Sequence, residues 1–357
     1  MSAVDAISDQ GQSGRRSFKF NFSYVNRFLE LIGMGWLAPA YRLMTGGNKA
    51  AELAELKQKL LIPLLGISVF LGAWTFLAPK VQTSLGVIPG PAQVWEQVGK
   101  LAEDHQREQE KAAAFYERQE KKNAALIADG KADKVKQRTY TGKPTFIDQI
   151  TTSLATVALG FFIATVIAIP LGIASGLSKT VQGAINPLIQ IFKPVSPLAW
   201  LPIVTMIVSA LYLDPSELLP KSVLISAITV TLCSLWPTLI NTAMGVSSVD
   251  KDLINVSRVL KLSTFQSIVK VILPSAMPYM FTGLRLSLGV GWMVLIAAEM
   301  LSQNPGLGKF VWDEFQNGSS DSLARIMLAV LVIGILGFIL DRLMYGLQEA
   351  FTFSENR

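Results

Sequence analysis

Apolar residues in this chain gather into long runs separated by polar stretches. Six runs stand out: Leu60–Pro79, 148–177, 187–213, 221–245, 276–300 and 324–347. Each is at least as long as the roughly twenty residues that a helix needs to cross the hydrocarbon core of a bilayer. The pattern predicts an all-α polytopic membrane protein with about six transmembrane helices. Pro63 sits near the start of the first run, where proline is tolerated. In the second run Gly160, Ala164, Ala168 and Gly172 recur every four residues, a spacing that lets helices approach closely in lipid. The third run carries Pro194, Pro197 and Pro202, so a broken helix is expected there, and Pro237 interrupts the fourth.

The polar stretches are also patterned. In Ser247–Pro274, Leu253, Ile254, Val256, Val259 and Leu260 recur at helical spacing. Ser263 followed by Gln266 has the form of a capping box, which predicts a second short helix with Phe265, Ile268, Val269 and Ile272 as its apolar face. Leu273-Pro274 marks an expected break before the next span. Such a helix pair at one membrane face either grips a partner or merely joins two spans, and the pattern alone leaves both open. Residues 101–145 are dense in Ala, Glu, Gln and Lys and lack a large apolar stripe. They follow the hard turn Pro89-Gly90-Pro91 and a short amphipathic helix, and they predict an exposed helical hairpin turning near Asp129-Gly130. This insert is either a contact surface for a soluble partner or a tolerated loop expansion.

Composition narrows the class. The chain has 357 residues, 50% hydrophobic and only 16% charged, against about 25% charge in soluble domains. The formal charge of +6 fits basic flanks facing membrane lipid and cytoplasm, and no nucleic-acid partner is expected. Arg15, Arg16, Lys19, Arg27, Arg42, Lys49, Lys57 and Lys59 precede the first span and place the N-terminus in the cytoplasm. The domain plan is then a cytoplasmic tail and interfacial helix over 1–59, with Pro39 interrupting the latter, and a first span over 60–79. An extracytoplasmic segment follows over 80–147, then a core over 148–347 with the cytoplasmic loop 247–274, and a cytoplasmic tail over 348–357. The first 30 residues lack an apolar signal core, so no cleaved leader is expected. A single cysteine, Cys233, and a single histidine, His105, exclude an intrachain disulfide and a histidine or cysteine metal cluster. There is no phosphate loop of the Gly-x-x-x-x-Gly-Lys-Ser/Thr type, so no ATPase site and no bound cofactor are expected in this chain.

The stretch Asn255-Val256-Ser257, Lys261, Val271, Leu273 and Pro274 resembles the cytoplasmic loop of binding-protein-dependent ABC transporter permeases. That signature is Glu-Ala-Ala, three residues, glycine, nine residues, an apolar residue, any residue and Leu-Pro. Asn255-Val256-Ser257 stand at the Glu-Ala-Ala positions and Lys261 at the glycine. The runs Lys193–Ile203 and Pro278–Leu301 resemble the nitrate, sulfonate and taurine branch of that family. The resemblance implies a permease subunit in a bacterial inner membrane that works with a second copy of itself, two cytoplasmic ATPase subunits using ATP and Mg, and an extracytoplasmic solute-binding protein. It implies coupling to the ATPase through Asn255, Val256, Ser257, Leu260, Lys261, Leu273 and Pro274. Lysine in place of glycine at 261 suggests a continued helix or a site for an acidic partner.

Candidates for a solute pathway or gate are Thr205, Ser209, Thr229, Ser234, Arg285 and Glu299. Hydroxyls in apolar helices serve equally well as glue between helices. Ionisable groups in a span are functional candidates, although Arg285 also has the option of snorkelling to the interface, and Asp341 that of capping or pairing locally. The family branch implies a small oxyanion, nitrate or nitrite first, with bicarbonate, cyanate or a sulfonate as alternatives. A secondary transporter and a membrane scaffold are the readings from other classes.

Overall fold

The computed structural model describes residues 37–44, 49–83, 86–131, 135–212, 219–319 and 321–352. It is helical almost throughout, apart from a two-residue ribbon, β1 (Gln82–Thr83) with β2 (Gly86–Val87). The chain divides into two units, 1–67 and 68–357. In the first, α1 spans Leu37–Met44 and α2 spans Lys49–Leu56. Pro39 lies inside the first turn of α1 and does not interrupt it. The rest of the expected tail and interfacial segment lies outside the described residues. A π turn over Lys57–Leu61 joins α2 without a break to α3 (Ile62–Leu77), so the charged helix and first span form one helix. Pro63 is thus interior to that helix; the bond from Ile62 N–H to the Lys57 carbonyl skips one residue and widens the turn just before the proline ring.

The second unit contains α4 (Pro91–Ala128), α5 (Phe146–Leu177), α6 (Lys179–Phe192), α7 (Pro197–Leu211), α8 (Lys221–Ser247), α9 (Lys251–Val259), α10 (Thr264–Ser267), α11 (Leu273–Ser302), α12 (Leu307–Asn317) and α13 (Ser322–Thr352). Among the described residues, five helices are long and apolar enough to cross a membrane, and the pair α6–α7, bent by 103°, makes a sixth candidate. Packing decides how that pair is used. A methyl on Gly160 of α5 would strike Ala227 and Val230 of α8, one on Gly172 would strike Leu239 and Thr242, and one on Gly176 would strike Ala243 and Val246. The two helices therefore run in the same direction. The chain must return to its starting end between them, so the bent pair traverses the bundle as one broken span. The break falls at Lys193–Ser196, in the proline-rich third run, and Ser196 caps the second half.

Helix α8 is the axis of the unit. The small residues Gly160, Ala164, Ala168 and Gly172 face it from α5, as their four-residue spacing predicts. From the other side α11 runs antiparallel to it: Gly283 meets Pro237 and Asn241, and Gly291 meets Val230 and Ser234. Pro237 breaks the hydrogen-bond ladder of α8. Pro237 has no N–H to give the Cys233 carbonyl. Beside that gap the Ser287 hydroxyl of α11 accepts from Thr238 N–H at 3.1 Å and donates to the Ser234 carbonyl. Methyl-sized additions at the seam have no room, so Gly172→Leu should destabilise the detergent-solubilised protein by about 1–3 kcal/mol. Gly183→Ala, inside α6 with nothing within 4 Å, is the control and should hold or slightly raise the melting temperature.

The insert differs from the expected hairpin of helices. It is one 38-residue helix, α4, about 57 Å long, continuous with the short amphipathic helix after Pro91. It ends at Gly130, with φ +73°, and the chain returns along it without helical structure. Backbone groups of the return pair with side chains of the helix: Arg138 N–H with Gln119, Tyr140 N–H with the Tyr116 hydroxyl, and the Lys136 carbonyl with Asn123. Tyr140 donates to Glu108 at 2.6 Å, which holds that carboxyl below the usual range. A polar clamp fixes the helix base. Arg325 of α13 meets Glu314 of α12 and both Asp104 and Gln97 of α4.

Candidate functional site

At the end of the bundle opposite the insert, α9 begins at Asp250, whose carboxylate accepts from Asp252 N–H. Only Ser257 of this helix is buried, and Ile254 packs against the bundle. The Ser257 hydroxyl donates to the Ile254 carbonyl and accepts from Ser267, tying α9 to α10. That leaves an apolar surface facing outward: Leu253, Val256, Val259 at 80% exposure, Leu260 at 63%, Phe265 at 74% and Val269. Asn255 is exposed as well. The two apolar sets read from the sequence are therefore split: Ile254, Ile268 and Ile272 turn inward, and the others make a single outward patch.

Lys261 does not continue α9. Its φ is +52°, in the left-handed region where glycine is favoured. Lys261 N–H bonds to the Arg258 carbonyl and Leu262 N–H to the Ser257 carbonyl, the two bonds of a Schellman termination. Lysine thus occupies a glycine geometry, because those two bonds satisfy the helix's last carbonyls. Ser263 then caps α10 in the expected box with Gln266. Nor do Leu273 and Pro274 mark a break. A π turn over Ile268–Ile272, closed by Leu273 N–H on the Ile268 carbonyl, absorbs the proline, and Thr264–Ser302 is one helical rod.

The pathway candidates are not gathered in one place. Thr205 is half-buried and Ser209 exposed, both on α7. Thr229 and Ser234 are fully buried in α8; Thr229 gives its hydroxyl to the Ile225 carbonyl. Other hydroxyls join helices, as Thr231 does to the Gly160 carbonyl and Ser226 to Ser302. Asp341 pairs across helices and not within its own turn. It forms an ion pair with Arg285 between α11 and α13, with Nη2 to Oδ2 at 2.7 Å.

Glu299 is fully buried and works at the insert end. Helix α12 starts after Gly306, which has no side chain to cap it. The Ser153 hydroxyl of α5 accepts from Leu307 N–H at 2.9 Å and donates to the Glu299 carboxylate, which also accepts from Gly308 N–H at 3.0 Å. An acid on another helix thus caps α12, matching the positive end of its dipole. A Cβ on Gly306 would fall into that carboxylate. The sequence signal was the Gly-Leu-Gly that follows Glu299 by seven residues, which only the fold connects to it. Ser153→Ala should cost about 1–3 kcal/mol in local opening, read as faster amide exchange at Leu307 and Gly308. Lys261→Gly should instead stabilise the α9 end by about 1 kcal/mol, seen as slower exchange at Leu262.

Comparisons with known proteins converge on this architecture. Residues 168–352 match the family described as binding-protein-dependent transport system inner membrane component. The nitrate import permease protein NrtB of Synechocystis sp. is 41% identical over 201 residues, covering 56% of this chain and 68% of that protein. The alignment spans 65% of the Leptolyngbya laminosa NrtB. The bicarbonate transport system permease protein CmpB of Synechococcus elongatus is 34% identical over 307 residues, 85% of this chain and 94% of that protein. The taurine permease TauC of Escherichia coli is 34% identical over 60% of this chain and 74% of its own. Among solved structures, the inward-facing MetNI methionine ABC transporter superposes with a TM-score of 0.50 at 15% identity, covering 58% of this chain and 96% of that one. With the broken third span, the outward patch on α9–α10 and a family match across more than half its length, the chain belongs to the binding-protein-dependent inner-membrane permeases of ABC transporters.

Proposed function

We propose that this chain is the membrane-spanning subunit of an ATP-driven importer for a small planar oxyanion, with nitrate, and nitrite beside it, as the substrate. Two copies form the pathway, two ATPase subunits bind the patch on α9–α10, and a solute-binding protein delivers the anion at the insert end. The observation that carries this reading is the patch itself. Val259, Leu260 and Phe265 are apolar and largely exposed, on a loop that the Ser257–Ser267 hydrogen bond ties together. A partner groove is the physical explanation for keeping them there. The loop and the insert lie at opposite ends of the bundle, as import by delivery on one side and drive on the other requires.

Leu260→Asp puts a charge into the docked face. The variant should fold and melt as the parent does, because the residue is exposed, and the ATPase subunits should no longer copurify with it. Unchanged copurification with normal transport would show that the patch has another purpose.

Bicarbonate is the second reading, favoured by the alignment with CmpB, which spans 94% of that protein. The two are separated by proteoliposomes holding this chain, its ATPase subunits and its binding protein, with ATP inside. Labelled nitrate should accumulate and labelled bicarbonate should not; bicarbonate accumulation alone would replace the nitrate assignment.

A further inference from the structure

One charged cluster joins α11 to α13 beside an open cavity. Before the last turn of α11 its exposed residues form one stripe, Tyr279, Thr282, Leu286, Gly289 and Met293. Beside that stripe Arg285 meets Asp341 of α13 through two of its nitrogens, Nε to Oδ1 and Nη2 to Oδ2. Both side chains keep 36% exposure, and a cavity of about 640 Å³ opens against them, lined also by Thr282, Met293, Tyr345 and Gln348. The ring of Tyr345 lies 5.3 Å from the Arg285 guanidinium and 6.0 Å from that of Arg342. Arg342 Nε is buried with no hydrogen-bond partner. Among the described residues, Asp341 is the one carboxylate within ion-pair distance of Arg285, and the Arg342 guanidinium lies over the same Tyr345 ring.

We propose that Arg285 is a transient binding station for a small planar univalent oxyanion, and that Asp341 occupies the guanidinium whenever the anion is absent. This rests on the oxyanion-importer reading above. A carboxylate offers two coplanar oxygens to the guanidinium fork, and nitrate or bicarbonate offers the same array, so the edge that binds Asp341 is already shaped for the solute. Tyr345 and Gln348 add neutral donors on the cavity wall. The cavity gives the anion an approach and gives the displaced carboxylate room to be hydrated. Competition from Asp341 keeps the station weak. That matters because a solute bound tightly inside a pathway does not leave it. A lysine would not reproduce the fork, since its ammonium is a point charge.

The test uses the purified permease–ATPase complex and its binding protein. Equilibrium binding of nitrate and of bicarbonate to the complex is measured without the binding protein, and transport is measured with it. Asp341→Asn removes the competitor. It should tighten anion binding at least tenfold while slowing turnover, because release becomes limiting. Arg285→Gln should abolish saturable anion binding and reduce transport more than tenfold. Arg285→Lys should recover less than half of the transport. The double variant Arg285→Gln, Asp341→Asn removes both charges together and should assemble on gel filtration yet bind no anion, which separates loss of the station from misfolding. Binding and transport within twofold of the parent in both single variants would overturn the station while leaving the importer reading intact. A parent complex that moves no oxyanion at all would overturn the importer reading itself.

Discussion

The close approach of α5 and α11 to α8 is the contact on which the rest depends. In lipid there is no gain from taking apolar groups out of water, so helices associate through tight packing and through the hydrogen bonds they satisfy for one another. Glycine at 160, 172, 176, 283 and 291 lets backbones and short side chains touch along the whole length of α8. The same contact makes Pro237 affordable, because Ser287 is near enough to bridge Thr238 and Ser234. Once these three helices are fixed, with α5 and α8 parallel, the chain between them has to cross as a broken span.

The two ends of this core are built differently. At the insert end, polar side chains lock elements together: Glu299 and Ser153 cap α12, and Arg325 joins α12 and α13 to the base of α4. Burying the Glu299 carboxyl is tolerable because Ser153 and Gly308 N–H both donate to it. At the opposite end the α9–α10 loop has one buried side chain on α9 and one hydrogen bond between hydroxyls linking the two helices. Ile254, Ile268 and Ile272 pack inward, while Leu253, Val256, Val259, Leu260, Phe265 and Val269 stay exposed. One end is finished as a folded surface. The other leaves Val259, Leu260 and Phe265 exposed.

The spans, the broken third run and the Ser263–Gln266 cap were legible because each rests on local chemistry: run length, prolines and a box of neighbouring residues. What sequence alone misplaced depended on context. Leu273-Pro274 and Pro63 look like helix breaks or starts, but a π turn before each lets the helix pass. Lys261 looks like continued helix, yet bonds from its own and the next amide favour the left-handed turn. The insert looked like two helices because Asp129-Gly130 is a good turn; the return carries Pro144 and few apolar residues, and it pairs with side chains of α4 instead. Residues far apart in sequence, such as Glu299 with Ser153 or Arg285 with Asp341, come together only through the packing of α5, α11 and α13.

Continuity of the helix from Thr264 to Ser302 has a mechanical consequence for an importer of the proposed kind. Phe265 sits on the outward patch at one end of this rod, and Arg285 lies twenty residues further on, about 30 Å along the axis. A break at Pro274 would have decoupled them, since a hinge absorbs displacement locally. The π turn keeps the backbone bonded through that point, so a push or tilt imposed at Phe265 is carried along the rod. Asp341 belongs to a different helix, α13, and is joined to α11 at this level by its ion pair with Arg285. Moving the rod relative to α13 therefore strains the one contact that holds the guanidinium occupied. The same motion that an ATPase pair would impose at the loop would change how firmly Asp341 competes for Arg285, linking drive at one end to anion release within the bundle.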